Sequence, residues 1–249
     1  MIRSLKLTIA YAGTNYVGWQ RQLNGISIQQ LMEEAFVPIA GGDASNAPTV
    51  AGAGRTDAGV HATGQVASAV IDSDLGAPAI QRALNMRLPA DIRVLDVADA
   101  APGFHARYHA AAKAYRYRMV IAPVLSPFER WFVWHAPGPR DVDAMRRAAA
   151  DLLGRHDFAS FQARGASISQ TVRTIARLEI REVHGELVFD VEGDGFLRHM
   201  VRAIVGTLAE IGAGSRPVDA IPAMLAAADR RAAGATAPAC GLTLVAVRF

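Results

Sequence analysis

Two residue types are nearly missing from this chain. Only Lys6 and Lys113 are lysines, so 24 of the 26 basic residues are arginine. Cys240 is the single cysteine. One cysteine excludes an internal disulfide framework and a cysteine-based zinc site, and Cys240 reads as a small apolar residue near a C-terminal strand. No uninterrupted apolar run approaches the length of a membrane span. The opening Met1-Ile2-Arg3-Ser4 moves straight into a strand pattern and lacks the basic-then-apolar shape of a secretory signal. A cytoplasmic protein without membrane association is therefore expected. Internal repeats and low-complexity tracts are missing as well.

What is present is globular. The chain has 249 residues, 51% hydrophobic and 20% charged, enough for one large domain or two moderate ones. A net charge of +3 permits nucleic-acid binding without demanding it. Arginine suits bidentate phosphate contacts and stacking on bases. Compositional bias, which the abundant alanine also suggests, accounts for individual surface arginines equally well.

Periodicity orders the elements. Leu5 to Tyr11 alternates as a half-buried strand. Ser27 caps a helix through Leu31, Met32, Ala35 and Phe36. A strand near 65–71, a helix near 80–85 and a strand near 92–97 follow. The small, Pro102-containing stretch 100–103 marks a domain junction, which sets an N-terminal half at 1–103 and a C-terminal half at 104–249. In the second half, 114–121 alternates with Tyr115, Tyr117 and Met119 on one face and Arg116 and Arg118 on the other. A proline-punctuated connection covers 123–139. Asp141 caps a helix expected to stop at Gly154. Strands near 171–180 and 186–192 form a hairpin with Leu187, Phe189 and Val191 inward. Helices are expected at 198–211 and 218–227, and 242–247 reads as a strand buried on both faces. Strands mixed with crossover helices in each half argue an α+β fold.

The most informative run is Gly54-Arg55-Thr56-Asp57-Ala58-Gly59-Val60-His61-Ala62. It sets an arginine and a carboxylate two residues apart between glycines, with strand-like sequence on both sides. A loop of that kind is a common seat of chemistry, and equally a tight turn with a surface salt bridge. An ionised aspartate can attack carbon as a nucleophile or take a proton as a base. Four further motifs accompany it in order: Tyr16-Val17-Gly18-Trp19-Gln20-Arg21-Gln22, Phe104-His105-Ala106-Arg107, Lys113-Ala114-Tyr115-Arg116-Tyr117 and Gly195-Phe196-Leu197-Arg198-His199-Met200-Val201-Arg202.

Together these motifs resemble the tRNA pseudouridine synthase A family, from Leu5 to the final Gly241-Leu242-Thr243-Leu244. The resemblance implies two similar α/β halves with mainly antiparallel sheets flanking a central RNA-binding cleft. It implies isomerisation of uridine to pseudouridine at positions 38, 39 and 40 of the tRNA anticodon stem-loop, by a homodimer without cofactor or metal. Asp57 matches the catalytic aspartate. Arg202 matches its arginine partner, with Arg198 as the alternative; their four-residue spacing places both on one face of a helix. Tyr115 matches the tyrosine that stacks on the target base, and Arg55 an arginine that holds the flipped-out state. Leu242, or Leu244, corresponds to the apolar residue lining the uracil pocket. Arg21, Arg107, Arg116 and Arg118 are candidate RNA-backbone contacts. Where the family usually shows Tyr-Asp-Gly-Thr, this chain has Tyr11-Ala12-Gly13-Thr14.

His105 and His109 are four apart, a metal-binding spacing on a helix, but no third ligand is evident; His61, His105 and His199 read as hydrogen-bonding or RNA-facing groups. Two other functions compete with the isomerase. An RNA-binding module that has lost catalysis would lack the carboxylate, which is present. A glycosidic hydrolase usually needs a second acid around the bond, and none stands near Asp57 in sequence.

Overall fold

Alternation builds the first strand: β1 (Ile2–Tyr11) buries Leu5, Leu7, Ile9 and Tyr11 and leaves the residues between them partly exposed. The computed structural model describes residues 1–42, 47–165 and 170–249. It divides into two units, Met1–Ala111 with Leu244–Phe249, and Ala112–Thr243.

In the first unit β1 pairs antiparallel with β3 (His61–Asp72) on one side and β4 (Ile92–Ala100) on the other. A two-residue β2 (Ala51–Gly52) pairs with Ala67 and Ser68 of β3. Two helices serve this sheet. α1 (Ile28–Phe36) is capped by Ser27, whose hydroxyl accepts the Gln30 N–H at 3.2 Å, and it buries Ile28, Met32, Ala35 and Phe36. α2 (Ala77–Arg87) has a proline in its first turn and buries Ile80 and Leu84. The β1–β3 register shifts between Ile9 and Tyr11. That irregularity sits where Tyr11 meets the Asp57 loop.

The second unit orders its strands β5 (Ala112–Val120), β9 (Glu186–Gly193), β8 (Val172–Val183) and β7 (Gly154–Asp157), all antiparallel. The two-residue β6 (Trp134–His135) runs parallel to β5. β8 and β9 form the expected hairpin, closed by His184 and Gly185 at φ 50° and 77°, the left-handed pair that a two-residue turn requires. Leu187, Phe189 and Val191 are all buried. On the opposite face Arg116 and Arg181 share Asp190, and Arg118 bonds Glu186 and Glu129. α3 (Val142–Ala150), α4 (Met200–Gly212) and α5 (Ala220–Ala227) complete the unit. β10 (Leu242–Arg248) starts in this unit, and from Leu244 it belongs to the first, beside β3.

Three expectations need correction. α3, capped by Asp141 at 2.8 Å as expected, ends at Ala150 rather than running to Gly154. Tight i to i−3 bonds from Asp151, Leu152 and Leu153 close it early, and Gly154, at φ 90°, opens β7 instead. α4 begins at Met200, so Arg198 is outside it. β10 fully buries only Leu242 and Leu244; Val245, Ala246 and Val247 are half-buried. Among the described residues no helix is long and apolar enough to cross a membrane.

Candidate active site

The Asp57 loop is tied down at Gly54, Thr56, Asp57, Val60 and His61. Trp19 N–H donates to Thr56 O at 3.0 Å, and Gly18 and Asp57 form an isolated antiparallel bridge. Val60 N–H donates to Asp57 O at 3.1 Å, which closes the turn. Below the loop lies a buried polar group: the Tyr11 hydroxyl meets Thr56 Oγ1 at 2.8 Å, and Gln65 Nε2 donates to Gly54 O at 2.8 Å. Burial pushes the Tyr11 phenol far up, although Thr56 and Gln65 pull against it, so it stays protonated and able to donate. Buried polar groups of this kind are costly unless paired, and here they fix the loop's height above β1 and β3.

Two close approaches make the packing irreplaceable. Gly18 has φ 103°, and a Cβ there would meet Thr56 O at 2.4 Å. A Cβ on Gly13 would sit 1.9 Å from Val60 O. Gly13 N–H donates to His61 Nδ1 at 3.0 Å, so the buried His61 is a structural acceptor in the loop's foundation. Ala12 N–H donates to Asp91 O at 2.9 Å, and the Tyr16 hydroxyl donates to the Asp91 carboxylate. Asp91 thus holds the turn after β1 through its backbone carbonyl at Ala12 and its carboxylate at Tyr16. Asp57 is half-buried and Arg55 exposed.

In the second unit Tyr115 lies on β5 opposite Val191, 7% exposed. The Phe196 ring meets it edge-on at 5.2 Å. Arg202 stands in the first turn of α4, and its Nε donates to Ala237 O at 2.7 Å while Ala237 N–H returns to Arg202 O at 3.0 Å. The stretch 234–237 lies hard against α4: a Cβ on Gly206 would stand 1.8 Å from Ala235 O, and Gly234 N–H donates to Thr207 Oγ1 at 2.9 Å. Tyr117 donates to Pro238 O at 2.8 Å and packs on Gly241, one residue before the buried Leu242. Burial raises the Tyr117 pKa well above its ordinary value, with Arg202's positive charge opposing. Arg202, Tyr117 and the 237–242 strand entry therefore form one cluster. Arg198 is exposed, in the turn before α4, because His199 takes φ 63° and starts the helix one residue on. The single helix face expected for Arg198 and Arg202 does not exist.

Arg21 is ion-paired with Glu33 at 3.1 Å, and Arg107 is exposed. Arg116 and Arg118 are bound to the carboxylates named above. His105 and His109 cap one another's turn: His109 N–H donates to His105 O at 3.1 Å and His105 N–H to His109 Nδ1 at 3.2 Å. They stand in turns, not on a helix. Among the described residues no group of three or more His, Cys, Asp or Glu could hold a metal ion.

The family model described as tRNA pseudouridine synthase matches residues 7–109 and 148–249, most of the chain. The chain belongs to the tRNA pseudouridine synthase family. It is 47% identical over 245 residues to the tRNA pseudouridine synthase A of Syntrophotalea carbinolica, covering 98% of this chain and 96% of that protein. The synthase A of Pelobacter propionicus is 44% identical over 248 residues, with both chains covered completely. That of Halalkalibacterium halodurans is 45% identical over 244 residues, covering 97% and 90%. Membership makes the protein an isomerase, and its α+β architecture is the fold of the family. Sequence reasoning missed Tyr11 and Gln65, which support the Asp57 loop, and Asp91, which holds the turn after β1. Their only signal was polar character at positions of strands and turns expected to be apolar or free.

Proposed function

We propose that this protein converts uridine to pseudouridine at positions 38, 39 and 40 of the tRNA anticodon stem-loop. It would work as a cytoplasmic homodimer, with one tRNA contacting both subunits. The N-terminal half, 1–103, brings the carboxylate; the C-terminal half, 104–249, brings the tyrosine and the arginine. The reaction breaks the bond from uracil N1 to the ribose, turns the base and rejoins it through C5. It needs no redox change and no group donor, which fits a site built from ordinary side chains.

Asp57 is the nucleophile in this reading. The observation that carries it is the locked loop: Trp19, Val60, Thr56 and Gln65 hold the backbone on either side of one half-buried carboxylate. A reacting group gains most from being held in position before the substrate arrives. Arg202 serves to keep that carboxylate ionised once water is excluded. Drawing a base out of its stack costs a few kcal/mol, and an aromatic face returns roughly 1–3 kcal/mol of it, which is the role given to Tyr115. Arg55, Arg198, Arg21 and Arg107 are RNA contacts, and Leu242 lines the uracil pocket.

The test is incubation with unmodified tRNA transcript, followed by mapping of pseudouridine. Product at positions 38 to 40 is expected. Product only elsewhere refutes the site assignment. Binding without product favours an RNA-binding module, and release of free uracil a glycosidic hydrolase.

A further inference from the structure

Three stretches far apart in sequence line one cavity of about 490 Å³, broadly open to solvent, in the second unit. They are Ala163-Arg164, Arg198-His199 and the run from Arg230 to Thr236. Ala163 N–H donates to Arg198 O at 2.9 Å, which joins the first two. The third is anchored on α4 through Gly234 and through Ala235, whose N–H donates to Glu210 at 2.7 Å.

Among the described residues the lining holds four arginines and no carboxylate. Two acids stand behind it, and both are already engaged. Asp229 bonds Arg231 through both oxygens at 2.6 to 3.2 Å, and that arginine holds its carboxyl down at about 2. Glu210 is taken by Arg216 and the Ala235 N–H. Asp229 also attracts Arg164 and Glu210 attracts Arg230, but among the described residues neither acid bonds them, nor Arg198. Arg164 and Arg198 are exposed, and among the described residues neither side chain donates a hydrogen bond. Arg230 is half-buried; Nη2 donates to Thr236 Oγ1 at 2.8 Å and Nη1 to Ala233 O at 3.3 Å. Burial lowers the Arg230 pKa, and the positive charge of Arg164 lowers it further, yet a guanidinium stays charged at any ordinary pH. α4 starts directly after the lining residue His199, whose side chain does not cap it, so its partial positive charge adds to the same field.

Like charges gathered in a concavity repel one another and focus a positive potential. An anion relieves the repulsion. Guanidinium forks match the oxygens of a phosphate. Thr236 Oγ1 accepts from Arg230 and keeps its own proton to donate. The volume falls within the range that takes a nucleotide-sized ligand.

We propose that this cavity binds a phosphate group, held by Arg164, Arg198 and Arg230 with the Thr236 hydroxyl. If the phosphate is a phosphodiester of bound RNA, the assignment rests on the function proposed above; a free phosphate does not depend on it.

Two measurements on the full chain separate these sources. The variants are R164Q/R198Q, which removes two exposed groups, and R230Q. R177Q, whose guanidinium lies on exposed Glu179, is the control. First, tRNA affinity is measured across a salt series. Each lost phosphate contact lowers the slope of log K against log salt by about 0.7 to 0.9. An RNA phosphate in the cavity predicts that fall, with roughly tenfold weaker binding of R164Q/R198Q near 0.1 M salt and no change for R177Q. Second, the melting temperature is followed with added orthophosphate. A rise in wild type that R164Q/R198Q and R230Q lose, with an unchanged tRNA slope, assigns the cavity to free phosphate. No difference from wild type in either measurement overturns the proposal. Pseudouridine formation by wild type is scored on the same tRNA: product with unaltered variants sinks the cavity, and with it the RNA contact given to Arg198, but not the isomerase, and no product with altered slopes sinks only the isomerase.

Discussion

The Asp57 loop and the arginine-lined cavity use the same few residue types in opposite ways. In the loop one acid is held by a dense set of backbone and buried polar bonds, and its neighbours tolerate no added atom at Gly13 or Gly18. In the cavity three cations stand with few bonds, and Gly165, beside Arg164, has nothing among the described residues within 4 Å of where its Cβ would be. The contrast teaches what each task demands. Bond making needs one group at one place, so rigidity is built around it. Holding a phosphate needs a field, and a field survives small displacements.

The largest effect should come from D57N. The amide keeps the shape of the carboxylate, and the backbone bonds of residue 57 to Gly18 and Val60 are unaffected by the change. Turnover should fall by about 10³-fold or more, while tRNA affinity stays within about threefold. R164Q/R198Q should show the reverse emphasis, with binding and its salt dependence as the first things lost. Appreciable pseudouridine formation by D57N would erase the distinction between the two regions.

Next come the glycines. G18A forces a side chain onto φ 103° and against Thr56 O. Backbone strain of about 1–2 kcal/mol and overpacking of about 1–3 kcal/mol should add. G165A, at φ 71° with no described residue within 4 Å of the added Cβ, should carry the strain alone. At roughly 2–4 °C per kcal/mol for a chain of this size, thermal unfolding should separate the two variants, with G18A falling about twice as far. Equal shifts would mean that the loop is no more tightly packed than the cavity rim.

Much of this framework was legible in the chain. Period-two alternation gave β1, and Ser27 and Asp141 announced the starts of α1 and α3, because these signals are local. The hairpin of β8 and β9 was legible for the same reason. What failed was decided elsewhere. Helical spacing put Arg198 beside Arg202, but His199 turns left-handed and moves the helix start past it. Gly154 looked like a helix stop, yet three tight turns end α3 before it. Asp57 stood out by its glycines, whereas part of its support came from Tyr11, which lies 45 residues from Thr56 and 54 residues from Gln65. The arginines are the hardest case. Arg116, Arg181, Arg164 and Arg230 look alike in sequence, and only the carboxylate opposite the first two separates them.

Asp190 turns that last difference into a measurement of smaller size. Its carboxylate accepts from Arg116 at 2.7 and 3.2 Å and from Arg181 at 2.7 Å. Burial pushes its pKa up, but the two guanidiniums outweigh burial and leave it below the ordinary value. A carboxyl lowered in the folded state binds protons less readily there than in the unfolded chain, whose value is about 3.9. Its stabilising contribution is therefore complete above that value and fades as pH falls through the lower, folded one. Urea unfolding of D190N should show its full deficit against wild type at pH 7, and the deficit should narrow below about pH 4. The tRNA salt slope of D190N should stay at the wild-type value, since Arg116 and Arg181 lie on a face given over to internal pairing. A deficit that persists unchanged to pH 3 would mean that the ion pair adds nothing beyond packing. A steeper salt slope would mean that freeing these two arginines creates a second phosphate surface, and that pairing alone had set them apart from the cavity.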